Sequence, residues 1–68
     1  MKNTLKVERA KENMTQADLA EKVRVSRQTI NSIEIGKYVP STLLALKIAS
    51  IFKVRVDDIF TLEDKDWN

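Results

Sequence analysis

A single Gly, Gly36, and a single Pro, Pro40, in the whole chain leave too few turn formers for a β-rich fold, which needs one about every 8 to 12 positions. The sequence therefore reads as all-α, with five short helices and no repeat or linker. The first spans about Thr4 to Glu12; Asn13 can take the left-handed backbone that ends a helix, and Met14 turns back to the core. Thr15 caps the second, with Asp18 three residues on at its positive end, and Leu19, Ala20 and Val23 form its buried stripe. Ser26 caps a third helix over Arg27 to Glu34, whose apolar positions are Ile30 and Ile33 and which Gly36 stops. Pro40 and Ser41 announce the fourth and longest, in which Leu44, Ile48 and Phe52 recur at four-residue spacing while Ala45 and Ala49 keep the packing close. A last short helix at Asp57 to Phe60 starts on two carboxylates and turns Val56, Ile59 and Phe60 inward. Residues 62–68 read as a polar, acidic tail.

With neither Cys nor His, the chain has no disulfide framework and no thiolate or imidazole site. No metal and no cofactor is expected, and stability must come from packing. A core of this size rarely supplies more than about 3 to 5 kcal/mol, which makes self-association attractive. No apolar run approaches the roughly 18 residues of a membrane span and no signal-peptide pattern is present, so the expected compartment is the cytoplasm, with no membrane partner. Charge is divided unevenly: residues 1–56 hold eleven Lys/Arg against five Asp/Glu, and residues 57–68 hold one Lys against five acids. A body at +6 suits a polyanionic partner, which would repel a tail at −4. On charge alone an ordinary solvated surface is an equal explanation.

The informative stretch is residues 15–37, TQADLAEKVRVSRQTINSIEIGK, which encodes two short helices joined by a tight turn at Arg24 and Val25. A unit of this kind presents its second helix to DNA. Ala20 is small because the helices cross steeply there, and a longer side chain would push the second helix out of place. Val23, Val25, Ile30 and Ile33 seal the contact. At helical periodicity Ile30 and Ile33 point one way while Gln28, Asn31 and Ser32 point the other, flanked by Arg27 and Thr29. Fork-shaped hydrogen-bonding groups and short hydroxyls suit base edges in the major groove, although a solvated amphipathic helix shows the same polar face.

This segment resembles the helix-turn-helix of the lambda-repressor and Cro (XRE) family. Gln16 opens the first helix, Leu19-Ala20 lie inside it, Val23 to Val25 make the turn, Ser26 precedes Ile30, and Ile33-Glu34 and Gly36-Lys37 follow. The similarity continues through Pro40-Ser41, Ala45 to Ala49 and Val54 to Phe60, nearly the whole chain. It implies a compact five-helix, lambda-repressor-like DNA-binding domain over residues 1–68, whose two ends can pair as a short extra strand. It also implies that Arg27, Gln28, Thr29, Asn31 and Ser32 read bases. Gln16 would contact a phosphate at its helix N-terminus, and Lys37 and Tyr38 would make further DNA-backbone contacts; for Tyr38, packing on Pro40 is the alternative. A partly buried ion pair of Arg9 with Glu34 is implied as well. Three departures stand out. Arg24 replaces a common Gly, so either its backbone is left-handed or the turn is reshaped. Glu8 takes a usually apolar position, and Thr42 and Leu43 look exchanged, which would leave Leu43 exposed for a partner.

The function implied by the resemblance is a transcriptional regulator, a repressor, on an inverted-repeat double-stranded DNA operator. It would bind as a homodimer whose recognition helices lie one DNA turn apart, roughly 34 Å. Ile51, Leu62, Trp67 and the chain ends are candidate interface residues, and no small-molecule ligand is evident. The competing class is an antitoxin-type protein-interaction component that also binds DNA; an exposed Leu43 and an ordered acidic tail would favour it. No enzyme is expected, since Asp57 and Asp58 have no His, Cys or Gly-rich phosphate loop beside them and serve better as helix caps.

Overall fold

Where a Ser or Thr precedes an apolar stripe, a helix begins. In a computed structural model, which describes residues 1–68, α1 runs Leu5–Lys11, α2 Gln16–Val23, α3 Arg27–Glu34, α4 Thr42–Phe52 and α5 Val56–Ile59. The Thr15 hydroxyl accepts from the Asp18 amide at 3.0 Å, and the Asp18 carboxylate accepts from the Thr15 amide at 3.0 Å. Ser26 and Ser41 accept from the amides of Thr29 and Leu44 in the same way. Each bond satisfies a donor that a helix start leaves open.

The helix ends use left-handed backbone. Asn13 (φ 51), Arg24 (φ 61), Lys53 (φ 56) and Gly36 (φ 82) all have positive φ. The turn between α2 and α3 is thus not reshaped: Arg24 adopts the conformation that a Gly would reach without strain. Lys53 does the same after α4.

Two boundaries differ from the sequence reading. α1 is one residue shorter at each end than Thr4 to Glu12, with those residues flanking it. The last helix is Val56–Ile59 rather than Asp57 to Phe60, because Arg55 takes the cap position, its amide donating to the Asp58 carboxylate at 2.9 Å. Phe60 leaves the helix with extended backbone and opens β2, Phe60–Thr61. β2 pairs antiparallel with β1, Lys2–Asn3, placing Lys2 opposite Thr61 and Asn3 opposite Phe60. Asn3 does more than pair: its Oδ1 accepts from the Leu5 amide at 3.1 Å, and its Nδ2 donates to the Ile33 carbonyl at 2.9 Å, fastening β1 to the end of α3. Residues Asp64–Trp67 form a 3-10 turn, with the Met1 α-amino group 3.1 Å from Glu63 and 2.9 Å from Asp66.

One buried cluster joins all five helices and β2. Leu5 comes from α1; Leu19, Ala20 and Val23 from α2; Ile30 and Ile33 from α3. Leu44, Ile48, Ala49 and Phe52 come from α4, followed by Ile59 and Phe60. Burying one Leu, Ile or Phe fully is worth roughly 1.5 to 3 kcal/mol, so these side chains decide how the helices cross. Ala20, 4 % exposed, sits within this packing on α2, the helix on which α3 chiefly rests. No buried side-chain nitrogen or oxygen lacks a hydrogen-bond partner. No helix is long and apolar enough to cross a membrane.

Candidate nucleic-acid interface

Ile30 and Ile33, at 0 % and 1 % exposure, pin one side of α3 into the core and so fix its rotation. Arg27, Gln28 and Asn31 are left exposed, while Thr29 and Ser32 are half-buried. The Thr29 hydroxyl lies 2.9 Å from that of Ser26, so one of its hydrogen bonds is already made. After α3 the Ser32 carbonyl accepts from the amides of Lys37 and Tyr38 at 2.9 and 3.2 Å. This folds the chain back at Gly36 and sets Lys37 and Tyr38 beside the end of the helix, both exposed. Tyr38 keeps 46 % of its surface in solvent, whereas Pro40 is buried. At the start of α2 the amides of Gln16 and Ala17 donate no hydrogen bond within the chain, and the helix dipole adds partial positive charge there.

Beside α3 lies a polar network. Arg9 Nε donates to Glu34 Oε2 at 2.6 Å, Nη2 to Glu34 Oε1 at 3.0 Å, and Nη1 to the Met14 carbonyl at 2.8 Å. The planar guanidinium matches the carboxylate fork, and the two side chains are only 12 % and 5 % exposed. The pair therefore ties α1 and the α1–α2 link to the last turn of α3. Gln16 joins it: Nε2 donates to Glu34 Oε1 and to Asn31 Oδ1, each at 3.1 Å. Of the residues singled out from the sequence, Arg9, Glu34, Gln16 and Asn31 come together, while Arg27, Gln28, Lys37 and Tyr38 stand outside this network. The sequence reading missed the link from Gln16 to Asn31 and Glu34. Its signal is the three-residue spacing that puts Asn31 and Glu34 on one side of α3, the side next to the start of α2.

Glu34 is the sole acid on α3, and its charge is neutralised by Arg9. Burial works against that charge, but the hydrogen bonds from Arg9 and Gln16, with the Arg9 charge, outweigh it and hold the carboxyl below its ordinary value of 4.5. A carboxyl held low in the folded state gives stability that is fully present above its ordinary value and lost as pH falls through the folded one. Asp18, lowered by its bonds to the Thr15 amide and hydroxyl, acts with the same sign. The thermal midpoint is therefore expected to stay flat from neutral pH to about pH 5 and to fall below that. Circular dichroism melts across the range check it, and a midpoint that rises on acidification would contradict the pairing.

No group of His, Cys, Asp and Glu is placed to hold a metal ion. The helix-turn-helix family model matches residues 5–59, a span that holds all five helices. The chain is 59 % identical over 66 residues to an uncharacterized HTH-type transcriptional regulator of Methanocaldococcus jannaschii, across 97 % of this chain and 100 % of that one. It is 48 % identical over 66 residues to such a regulator of Bacillus subtilis, across 97 % and 100 %. With one from Archaeoglobus fulgidus it shares 47 % identity over 66 residues, across 97 % and 94 %.

Proposed function

The chain belongs to the helix-turn-helix (XRE) family of transcriptional regulators, a non-enzymatic DNA-binding class, and from that premise we propose that it is a repressor binding an inverted-repeat operator as a homodimer. The observation that carries the reading is the rotation of α3: Ile30 and Ile33 are buried, and Arg27, Gln28 and Asn31 face solvent. Laid in the major groove, these three side chains, with Thr29 and Ser32 at the margins, read base edges. An Arg on guanine or an amide on adenine contributes roughly 1 to 3 kcal/mol of discrimination. Lys37 and Tyr38 hold phosphates and set register. Because both Nε2 hydrogens of Gln16 have partners within the chain, its phosphate contact falls to its backbone amide.

Residues 1–68 act in this reading as one DNA-binding domain in the cytoplasm, and two copies place their α3 helices one DNA turn apart. Apolar side chains left in solvent support self-association: Leu43, Leu46, Leu62 and Trp67 are each more than half exposed. Repression follows from occupancy, as the dimer covers a promoter and keeps polymerase off. The antitoxin-type alternative draws on two of the same features, Leu43 at 65 % exposure and the ordered acidic turn Asp64–Trp67.

Selection of bound sequences from a random duplex pool at fixed salt tests the proposal, run beside an Arg27→Ala, Gln28→Ala double variant. The expected result is one palindromic motif that the variant loses or alters. Weak binding that ignores the variant and falls steeply with salt would mean phosphate contacts alone and would move the protein-partner reading to first place.

A further inference from the structure

We propose that two copies of the chain pair by a two-fold exchange, in which the acidic turn Asp64–Trp67 of each docks on a basic groove between α2 and α4 of the other. The inference rests on the homodimer in the function above and assigns its interface. The groove is lined by Lys22, Arg24 and Lys47 together with Leu43, Leu46 and Ile51, and by no acid. None of the three cations is in an ion pair within the chain, and Leu43 and Leu46 are more than half exposed. The turn has the opposite chemistry. Residues 62–67 hold three acids against one Lys, Asp64 is without an ion-pair partner, and Leu62 and Trp67 stand more than half in solvent. No residue of the turn lines the groove of its own chain, since Glu63 and Asp66 are held at the Met1 α-amino group.

Groove and turn flank a common centre. Leu46 lines both the groove and a neighbouring hollow, which Met1, Val39, Pro40, Ala45 and Val56 also line and which has no charged side chain. Met1, on that hollow, carries the acidic turn. Base, uncharged centre and acid thus follow one another over one face of the molecule. A two-fold axis through the centre sets hollow against hollow and, on either side, turn against groove. An apolar middle with a polar rim is how stable interfaces are built, whereas groove against groove would set like charges together. Arg27, Gln28, Asn31 and Lys37 line neither surface, so pairing here leaves those side chains free for DNA.

The test is sedimentation equilibrium of the full chain over a range of concentration and salt, read beside the fluorescence of Trp67, the sole tryptophan. Trp67 is 76 % exposed in the single chain, so its emission should move to shorter wavelength as the dimer forms, and the dimer should weaken with salt. Lys47→Glu should weaken dimerisation by about tenfold, because symmetry repeats the loss on both sides. Lys11→Glu, the same change of net charge on residues outside this face, should leave it nearly unchanged. The chain has no Cys of its own, so a mixture of Leu43→Cys and Asp64→Cys chains treated with a short thiol cross-linker should give a joined pair containing one of each. All four substitutions are at exposed positions and each variant is checked for folding by circular dichroism. The docking is overturned, and the homodimer left standing, by a dimer whose Trp67 emission stays fixed. A dimer that Lys47→Glu weakens no more than Lys11→Glu, or in which only like chains cross-link, overturns it equally. A chain that stays monomeric at every concentration overturns both.

Discussion

Arg9→Leu should cost the fold roughly 3 kcal/mol, the low end for removing one partner of a buried ion pair, and lower the thermal midpoint by on the order of 15 °C in a domain this small. The cost comes less from attraction lost than from what is left behind. Glu34, 5 % exposed, would keep its charge with only Gln16 to bond it, and the Met14 carbonyl would lose the Nη1 donor at 2.8 Å. Neutralising Glu34 by protonation would not restore the tie between α1 and the end of α3. The contrast is Lys11→Leu, which breaks the 3.2 Å pair with Glu8. There the Lys11 side chain is 66 % exposed, and the expected change is under about 1 kcal/mol. Paired melts of the two variants check this, and equal midpoints would mean that the Arg9 pair is no stronger than a surface contact.

Ile30→Ala is the second large effect, about 3 to 4 kcal/mol, within the range for truncating a fully buried Ile. Ile30 has no exposed surface and lies at the centre of α3, with Ile33 the next residue of the helix in the core. A core of this size rarely supplies more than about 3 to 5 kcal/mol in total, so much of the variant population should be unfolded at room temperature. Ile30→Val, which removes one methylene, should cost about 1 kcal/mol. Urea melts of the pair give the check: midpoints should fall in that order with little change in slope. A loss below about 1 kcal/mol for Ile30→Ala would mean the site collapses around the gap and α3 is held elsewhere.

The parts of this fold that could be read in advance are those decided within a few residues. Thr15 with Asp18, Ser26 and Ser41 each set a helix start through a bond no longer than three positions. Ile30 and Ile33 likewise fix the rotation of α3 by spacing alone, which is why the exposure of Arg27, Gln28 and Asn31 was legible. The start of α5 lies one residue before the position the sequence suggests, because Arg55 has no capping side chain of its own; the Asp58 carboxylate reaches back to its amide instead. Phe60 reads as helical in the sequence because its inward direction is the same in a helix or a strand, and its partner Asn3 lies at the other end of the chain. The left-handed Lys53 carries no residue signal at all. Within the site, the bonds from Gln16 to Asn31 and Glu34 depend on how α2 and α3 cross, a quantity that periodicity does not contain.

The β1–β2 ribbon also bears on the order of events as the chain folds. Its formation closes a loop of almost the entire sequence, and closure entropy of that kind must be met before the contact returns anything. α2 and α3 are neighbours in the chain and meet across a single short turn, so this pair of helices can assemble while the two ends are still apart. The ribbon then forms late, and with it the bond from Asn3 Nδ2 to the Ile33 carbonyl. α3 is thus an early product of folding, and its bond to Asn3 is made only when the two ends of the chain meet.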